Sequence, residues 1–143
     1  MGSTTAITME ANCTDDPKSG KICLKTTYSL ADAWGGVVWQ HPHNDWGEQP
    51  GGANLTGAKK LTFWARGAAG GETIKFGFGL LGKDKKFFDT GKGEKEITLE
   101  KTWKQYTLDV SDQDMKRIKT GFFWSLAGQG KPLTFYLDRI AFE

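Results

Sequence analysis

Residues 59–81, KKLTFWARGAAGGETIKFGFGLL, carry the clearest strand pattern in the chain. On both sides of the turn AAGG, apolar residues occupy every second position, which is the period of a half-buried β-strand. After the turn, the positions between the apolar residues are Lys75, Gly77 and Gly79. Because glycine adds no side chain, we expect this second face to form a low and accessible surface.

Short alternating runs of this kind continue through the rest of the chain and are separated by Gly-rich turns. No window has the sustained 3.6-residue period of a long helix, and only 111–118 is expected to form a helical turn, with Ser111 as its cap. Further strands are predicted at 6–10, 22–28, 36–40, 87–90, 95–100, 103–110, 120–127 and 133–142. The pattern predicts an all-β fold, an antiparallel two-sheet β-sandwich (jelly roll), as one domain over 1–143.

The composition is that of a globular domain, with 143 residues of which 38% are hydrophobic and 25% charged. The net charge is only +2, and the densest basic run, KDKK at 83–86, is typical of a solvated loop. A nucleic-acid partner would require a clustered basic face. No apolar run approaches the roughly 20 residues that cross a bilayer. We therefore expect no nucleic-acid and no membrane partner.

The chain has only two cysteines, Cys13 and Cys23, which flank a loop that contains Pro17 and Gly20. Two free thiols are the alternative to a disulfide. We expect the disulfide, which would stabilise the domain by about 2–3 kcal/mol. Disulfides persist in oxidising compartments, so this expectation places the protein outside the cytoplasm, in an extracellular or periplasmic setting. The first residues, MGSTTAITM, show no signal-peptide pattern, so the export signal is expected to be absent from this sequence.

Residues 34–52, WGGVVWQHPHNDWGEQPGG, contain three of the six Trp residues and both His residues. Large aromatics among turn-formers and amides are typical of a surface that binds a ligand through ring faces and hydrogen bonds. Nucleic-acid bases stack on the same ring faces, but a phosphate backbone requires more Lys and Arg. The stretch therefore predicts a glycan ligand. The predicted ligand-binding residues are Trp34, Trp39, Gln40, His43, Asn44, Asp45 and Trp46, joined by Trp64 and Arg66.

The Trp residues differ in what their positions predict. Trp34 and Trp46 adjoin glycines in loops and are predicted to stack on ligand, with loop packing as the alternative. Trp39 lies in a short strand, where the core is nearly as good an interpretation. Trp64 points away from the apolar face of its strand and, with Arg66 two residues on, forms a candidate stacking and hydrogen-bonding pair. The remaining two, Trp103 and Trp124, are predicted to fill space between the sheets.

Four segments of the chain together resemble a known family. They are SGKICLKTTY (19–28), KKLTFWARG (59–67), WKQYTLDV (103–110) and TFYLDRIAFE (134–143). They resemble the jelly-roll carbohydrate-binding modules that are attached to bacterial glycan-degrading enzymes. The resemblance implies a polysaccharide or oligosaccharide ligand on the concave sheet or at the loop tips, and a larger enzyme or surface protein to which the module belongs. It also implies one structural calcium ion, held by Asp138, by carbonyls near Gly20 and Lys21, and by Glu10.

Catalysis is not expected from this sequence. A glycosidase requires two carboxylates about 5–10 Å apart across a cleft. The acidic clusters, Glu94 with Glu96 and Asp109 with Asp112 and Asp114, lie at strand edges or turns instead. No nucleophile-elbow motif occurs. Two other hypotheses remain: a structural or adhesion domain of a larger extracellular protein that binds protein partners, and a small glycoside hydrolase or lyase.

Overall fold

Nine strands form the fold in the computed structural model, which describes all residues from 1 to 143. A 3₁₀ turn, Thr4–Ala6, precedes the first strand. The strands are β1 (Ile7–Cys13), β2 (Cys23–Tyr28), β3 (Gly35–Gln40), β4 (Lys60–Gly67), β5 (Thr73–Phe78), β6 (Gly93–Thr98), β7 (Lys104–Asp109), β8 (Thr120–Leu126) and β9 (Leu133–Phe142). No helix of the structure is long and apolar enough to cross a membrane.

The strands form two antiparallel sheets, and the predicted all-β sandwich is confirmed. The five-stranded sheet has the order β1-β2-β9-β4-β7, and the four-stranded sheet has the order β3-β8-β5-β6. The two strands of the 59–81 segment, β4 and β5, belong to different sheets. The AAGG turn therefore carries the chain from one layer to the other, and the apolar faces of β4 and β5 meet in the core.

Aromatic side chains dominate the core between the sheets. The Phe63 ring lies 4.8 Å from the Phe76 ring and 5.4 Å from the Phe122 ring, centroid to centroid. Trp124 is fully buried and packs edge-on against Phe135 at 5.2 Å. This position agrees with the space-filling role predicted for Trp124. The core of the sandwich is therefore built mainly from stacked and edge-on aromatic rings.

Two predicted local elements do not form. At 111–118 the chain turns without a helix. The Asp109 carboxylate accepts the backbone N–H of Ser111 at 2.8 Å and its hydroxyl at 2.6 Å, so an Asx turn competes with the helix. The same hydrogen bonds lower the pKa of Asp109. At 87–90 the Asp89 carboxylate binds backbone N–H groups of neighbouring loops, including that of Leu81 at 2.9 Å, and no strand ladder forms.

The predicted disulfide was wrong. Cys13 and Cys23 lie opposite each other on β1 and β2, 4.3 Å apart, as two free, buried thiols. The Cys23 thiol donates instead to the backbone carbonyls of Cys13 at 3.6 Å and Asp15 at 3.8 Å. Burial, with Cys13 alongside, raises the pKa of the Cys23 thiol to about 11. Two free thiols give no indication of an oxidising compartment.

The thiol state predicts a labelling result. Iodoacetamide at pH 7.5 should leave both cysteines of the folded protein unmodified, because both are buried and the Cys23 thiol is protonated at that pH. After unfolding in guanidinium without reductant, two alkyl groups should add per chain. Intact-mass spectrometry measures both states, and a chain that takes up no label after unfolding would contain the disulfide after all.

Candidate functional site

The outward surface of the four-stranded sheet, here called the four-strand face, consists of the side chains that alternate with core residues. Its members are Gly36, Val38 and Gln40 of β3, Gly121, Phe123 and Ser125 of β8, Thr73, Lys75 and Gly77 of β5, and Glu94, Glu96 and Thr98 of β6. Three of the twelve positions are glycine, and most of the others are small or polar. The face is therefore low, as the glycines of the 72–81 segment predicted.

On this face the aromatic ring of Phe123 packs against the backbone of Gly77. Phe123 points outward yet is only 2% exposed. A β-carbon at Gly77 would come within 2.8 Å of the Phe123 ring and within 2.3 Å of the Gly93 carbonyl oxygen. Glycine is thus required at position 77 for the ring to lie flat and for β5 and β6 to pair closely.

Gly77→Ala should lower the free energy of unfolding by about 1–3 kcal/mol, the usual range for overpacking. The matched control is Gly121→Ala on the same face, because nothing lies within 4 Å of a β-carbon there. Urea unfolding of the two variants measures the difference. Equal stabilities would mean that Gly77 has room for a side chain and that the Phe123 ring does not pack against it.

Charged and hydroxyl groups line the β5–β6 side of the face. The Lys75 ammonium lies 3.3 Å from the Glu94 carboxylate, and Glu96 lies opposite Lys75 in the strand register. The Thr73 and Thr98 hydroxyls are 3.0 Å apart. The ion pair is half exposed, so it adds little stability, but its polar atoms remain available for hydrogen bonds to a ligand.

Trp34 stands at one end of the face, immediately before β3. Its side chain is 55% exposed and borders a cleft of about 300 Å³ that also contains Lys75, Glu96 and Ser125. The backbone of Gly2 lies against part of the ring, since a β-carbon there would be 2.9 Å from the Trp34 Cδ2 atom. The rest of the indole faces solvent over the cleft.

Trp46 stands in the loop that follows β3. It is 43% exposed and borders a depression of about 340 Å³ that contains Gln40 and Asn44 but is mostly lined by apolar side chains of the N-terminus, β1 and β3. The two depressions adjoin at Gly36, where a β-carbon would lie 3.0 Å from both the Met1 methyl carbon and the Ser125 β-carbon. β3 has six residues and is therefore about 20 Å long. Two exposed indoles thus stand near the two ends of β3, with polar side chains beside Trp34 and mostly apolar ones beside Trp46.

Asp45, a predicted ligand residue, is buried rather than exposed. It is 4% exposed, and its carboxylate accepts the backbone N–H groups of Gly47 at 3.2 Å and Glu48 at 3.0 Å, and pairs with the Lys119 ammonium. The Lys119 hydrogen bond is the main reason that the pKa of Asp45 is lowered. With both oxygens engaged inside the loop, Asp45 does not face the four-strand face.

The other predicted residues of the 34–52 stretch divide between two sides of β3. Gln40 and Asn44 line the Trp46 depression, and His43 is exposed in the same loop. Trp39 points to the opposite side of the strand, where its ring lies 5.5 Å from the Phe122 ring although the side chain is 37% exposed. Trp39 therefore packs at the edge of the core and does not join Trp46.

Trp64 and Arg66 lie on the other sheet. The Arg66 guanidinium carbon is 3.7 Å from the Tyr136 ring centroid, and its Nη2 donates to the Asp15 carbonyl at 2.7 Å. The Lys18 ammonium lies 4.1 Å from the centroid of the Trp64 ring. The loop between β1 and β2 thus covers this pair. The sequence placed Trp64 and Arg66 in one site with Trp46, and the structure separates them by the thickness of the sandwich.

The structure brings together two parts of the expected calcium site. Asp138 and the loop before β2 do meet, because the Asp138 carboxylate accepts the Ser19 N–H at 3.0 Å. Glu10, however, lies opposite Lys25 on β1. No group of three His, Cys, Asp or Glu side chains in the protein could hold a metal ion. The expected site also relies on backbone carbonyls near Gly20 and Lys21, so the structural calcium ion stays a prediction.

Several residues of the face were not predicted from the sequence. They are Thr73, Lys75, Glu94, Glu96 and Ser125. The alternation in β5 had already placed Lys75 on the accessible side. The strand order could not be predicted from the sequence. Only the pairing of β5 with both β6 and β8 brings Glu94, Glu96 and Ser125 beside Lys75.

Comparison with known proteins gives structural neighbours and no sequence relatives. No protein-family model matches the chain, and no curated protein matches it. The glycoside hydrolase domain of Endo-D from Streptococcus pneumoniae R6 superposes with a TM-score of 0.70 at 20% identity. That match covers 100% of this chain, and this chain spans only 21% of that structure.

Carbohydrate-binding modules are also among the structural neighbours. The family 11 module of cellulosomal cellulase Lic26A-Cel5E of Clostridium thermocellum has a TM-score of 0.65 at 15% identity, over 95% of this chain and 80% of that one. The family 30 module of cellulosomal cellulase Cel9D-Cel44B of the same organism has a TM-score of 0.64 at 15% identity, over 95% and 82%. At these identities the likeness establishes the β-sandwich fold.

Proposed function

We propose that this protein is a non-catalytic carbohydrate-binding domain that holds a polysaccharide or oligosaccharide along the four-strand face. One observation carries the proposal: two exposed indole rings, Trp34 and Trp46, stand near the two ends of β3, beside a low face that contains glycines and polar side chains. A sugar ring presents a C–H face that stacks on an indole, and its hydroxyls bond amides, carboxylates and ammonium groups. Gln40, beside Trp46, and Lys75, beside Trp34, supply such groups.

The structural neighbours support this proposal. A family 11 module of Clostridium thermocellum is described in complex with a β-1,3-1,4-mixed-linked tetrasaccharide and shares this fold with a TM-score of 0.61. By the same analogy, we propose that the protein works outside the cytoplasm as a module of a larger glycan-degrading enzyme or surface protein. The mixed charge of the face, one Lys beside two Glu, favours a neutral glycan over a polyanion.

Glu94 and Glu96 are the nearest approach to a catalytic pair on this face. Both are exposed, and Glu94 is engaged with Lys75. The two carboxylates of a glycosidase stand on opposite sides of a cleft that encloses the sugar, whereas these two lie on one open strand. The geometry therefore supports binding without hydrolysis.

Titration of the intrinsic tryptophan fluorescence with soluble glucans, mannans, xylans and polyuronates tests the proposal. A neutral glycan should give a saturable change, because Trp34 and Trp46 would leave water on binding, and polyuronates should give none. Incubation with the bound glycan should release no reducing sugar. A flat response across the panel would contradict sugar binding and favour the alternative, a structural or adhesion domain in which this aromatic surface contacts protein.

A further inference from the structure

Lys119, the residue before β8, is among the most buried side chains of the protein. It is 1% exposed, and lysine at such a position needs an anionic partner and further hydrogen bonds. Its ammonium donates to the Asp45 carboxylate and to the Gln49 carbonyl. Both acceptors belong to the loop that contains Trp46. A single cation next to β8 thus holds the loop on each side of that indole.

The Asp45 carboxylate extends this hold to the loop backbone. One oxygen accepts the N–H of Gly47 at 3.2 Å, and the other accepts the N–H groups of Glu48 at 3.0 Å and Gln49 at 3.1 Å. The Gln40 amide donates to the Asp45 carbonyl at 2.8 Å, which ties the loop to the end of β3. These hydrogen bonds therefore fix the loop on both sides of Trp46, while the Trp46 side chain itself remains exposed.

Lys119 is itself fixed by a second buried carboxylate. Asp89 accepts the backbone N–H of Lys119 at 2.5 Å and that of Thr120 at 3.1 Å, and it also accepts the Thr120 hydroxyl at 2.5 Å. The Lys119 side chain therefore projects from a backbone with little freedom. The position of Trp46 is connected to the sheet through this chain of contacts.

We propose that Lys119 is a positioning residue for ligand binding, which acts through Asp45 to hold Trp46 in its binding-competent place. The proposal rests on the sugar-binding function proposed above. Lys119 does not touch the ligand, because its side chain is enclosed. Its effect comes from pre-organisation: a loop that is already ordered loses less conformational entropy when a sugar stacks on the indole.

Lys119→Met keeps most of the side-chain volume and removes the charge. We expect at least a tenfold loss of affinity for the bound glycan. We also expect at least tenfold faster hydrogen exchange at the amides of Gly47, Glu48 and Gln49, since their acceptor is no longer held. Calorimetric titration measures the affinity, and NMR measures the exchange rates of the three amides, at a temperature where each variant is folded.

Leu137→Ala is the matched control for lost stability. Leu137 is 1% exposed and lies on β9 in the other sheet. This variant should melt at a lower temperature and keep both the affinity and the slow exchange of the three loop amides. A purely structural role for Lys119 would make the two variants behave alike below their melting temperatures, and that result would overturn the proposal.

Asp45→Asn is the second variant, in case Lys119→Met does not fold. It keeps a side-chain oxygen for the loop amides and removes the charge that Lys119 requires, so affinity and protection should change in the same direction. Wild-type affinity and exchange in this variant would also overturn the proposal. If the wild-type protein binds no glycan, the proposed function fails, and the exchange measurement still decides whether Lys119 orders the loop.

Discussion

Trp46→Ala should weaken binding to the polysaccharide by about 5- to 150-fold, while the melting temperature changes little. Stacking of a flat ligand ring on one aromatic side chain contributes about 1–3 kcal/mol, and each 1.4 kcal/mol is a factor of ten in affinity. The side chain is 43% exposed, so its removal opens no core cavity. Calorimetric titration measures the affinity, and differential scanning calorimetry checks the fold.

The control for this prediction is Trp64→Ala on the five-stranded sheet. Its ring is half-buried beneath Lys18 and lies across the sandwich from Trp46, so its loss should leave affinity unchanged. Trp34→Ala should reduce affinity in the same way as Trp46→Ala. If Trp64→Ala abolished binding while the other two variants bound normally, the site would lie on the opposite sheet.

Phe76→Ala should lower the free energy of unfolding by about 3–5 kcal/mol, as aromatic truncation in a core does. Phe76 is fully buried, and its ring lies 4.8 Å from that of Phe63 and 6.1 Å from those of Phe122 and Phe135. The cavity would therefore open where the two sheets meet. For a chain of this length, the melting temperature should fall by roughly 10–20 °C.

Urea unfolding of Phe76→Ala and of Ile22→Ala tests whether core burial causes this loss of stability. Ile22 is 46% exposed, and its truncation should change stability by no more than about 0.5 kcal/mol. Similar losses in both variants would show that the aromatic cluster does not dominate the stability. Below its melting temperature, Phe76→Ala should still bind glycan, because no atom of Phe76 reaches the four-strand face.

The site that emerges has two kinds of residue with different tasks. Trp34 and Trp46 are exposed, and Lys75 is half-buried with its ammonium available to a ligand, whereas Lys119 and Asp45 are enclosed. Substitutions in the first group should alter affinity with little effect on stability. Substitutions in the second should alter loop order as well as affinity. This difference is what the exchange experiment on the 45–49 loop measures.

Local sequence was enough to predict the fold class. Alternation with a period of two, interrupted by Gly-rich turns, places one face of each strand in a core whatever the strand order. The sandwich was therefore predictable from residues 59–81 and from the similar short alternating runs in the rest of the chain. The exposure of Trp34 and Trp46 was predicted from a different local feature. Each follows or precedes a glycine in a segment with no alternating pattern.

Only the tertiary structure decided which of these residues share a surface. Strand order placed Trp64 on the opposite sheet from Trp46, and it brought Glu96 and Ser125 to Lys75 from distant parts of the chain. Asp45 looked like a surface carboxylate until the fold brought Lys119, a cation 74 residues away, to pair with it. The cysteines face each other as predicted, yet the Cys23 thiol bonds to backbone carbonyls. Alternation reports only which face of a strand is apolar, whereas a binding site is a set of long-range neighbours, and pairing between strands creates those neighbours.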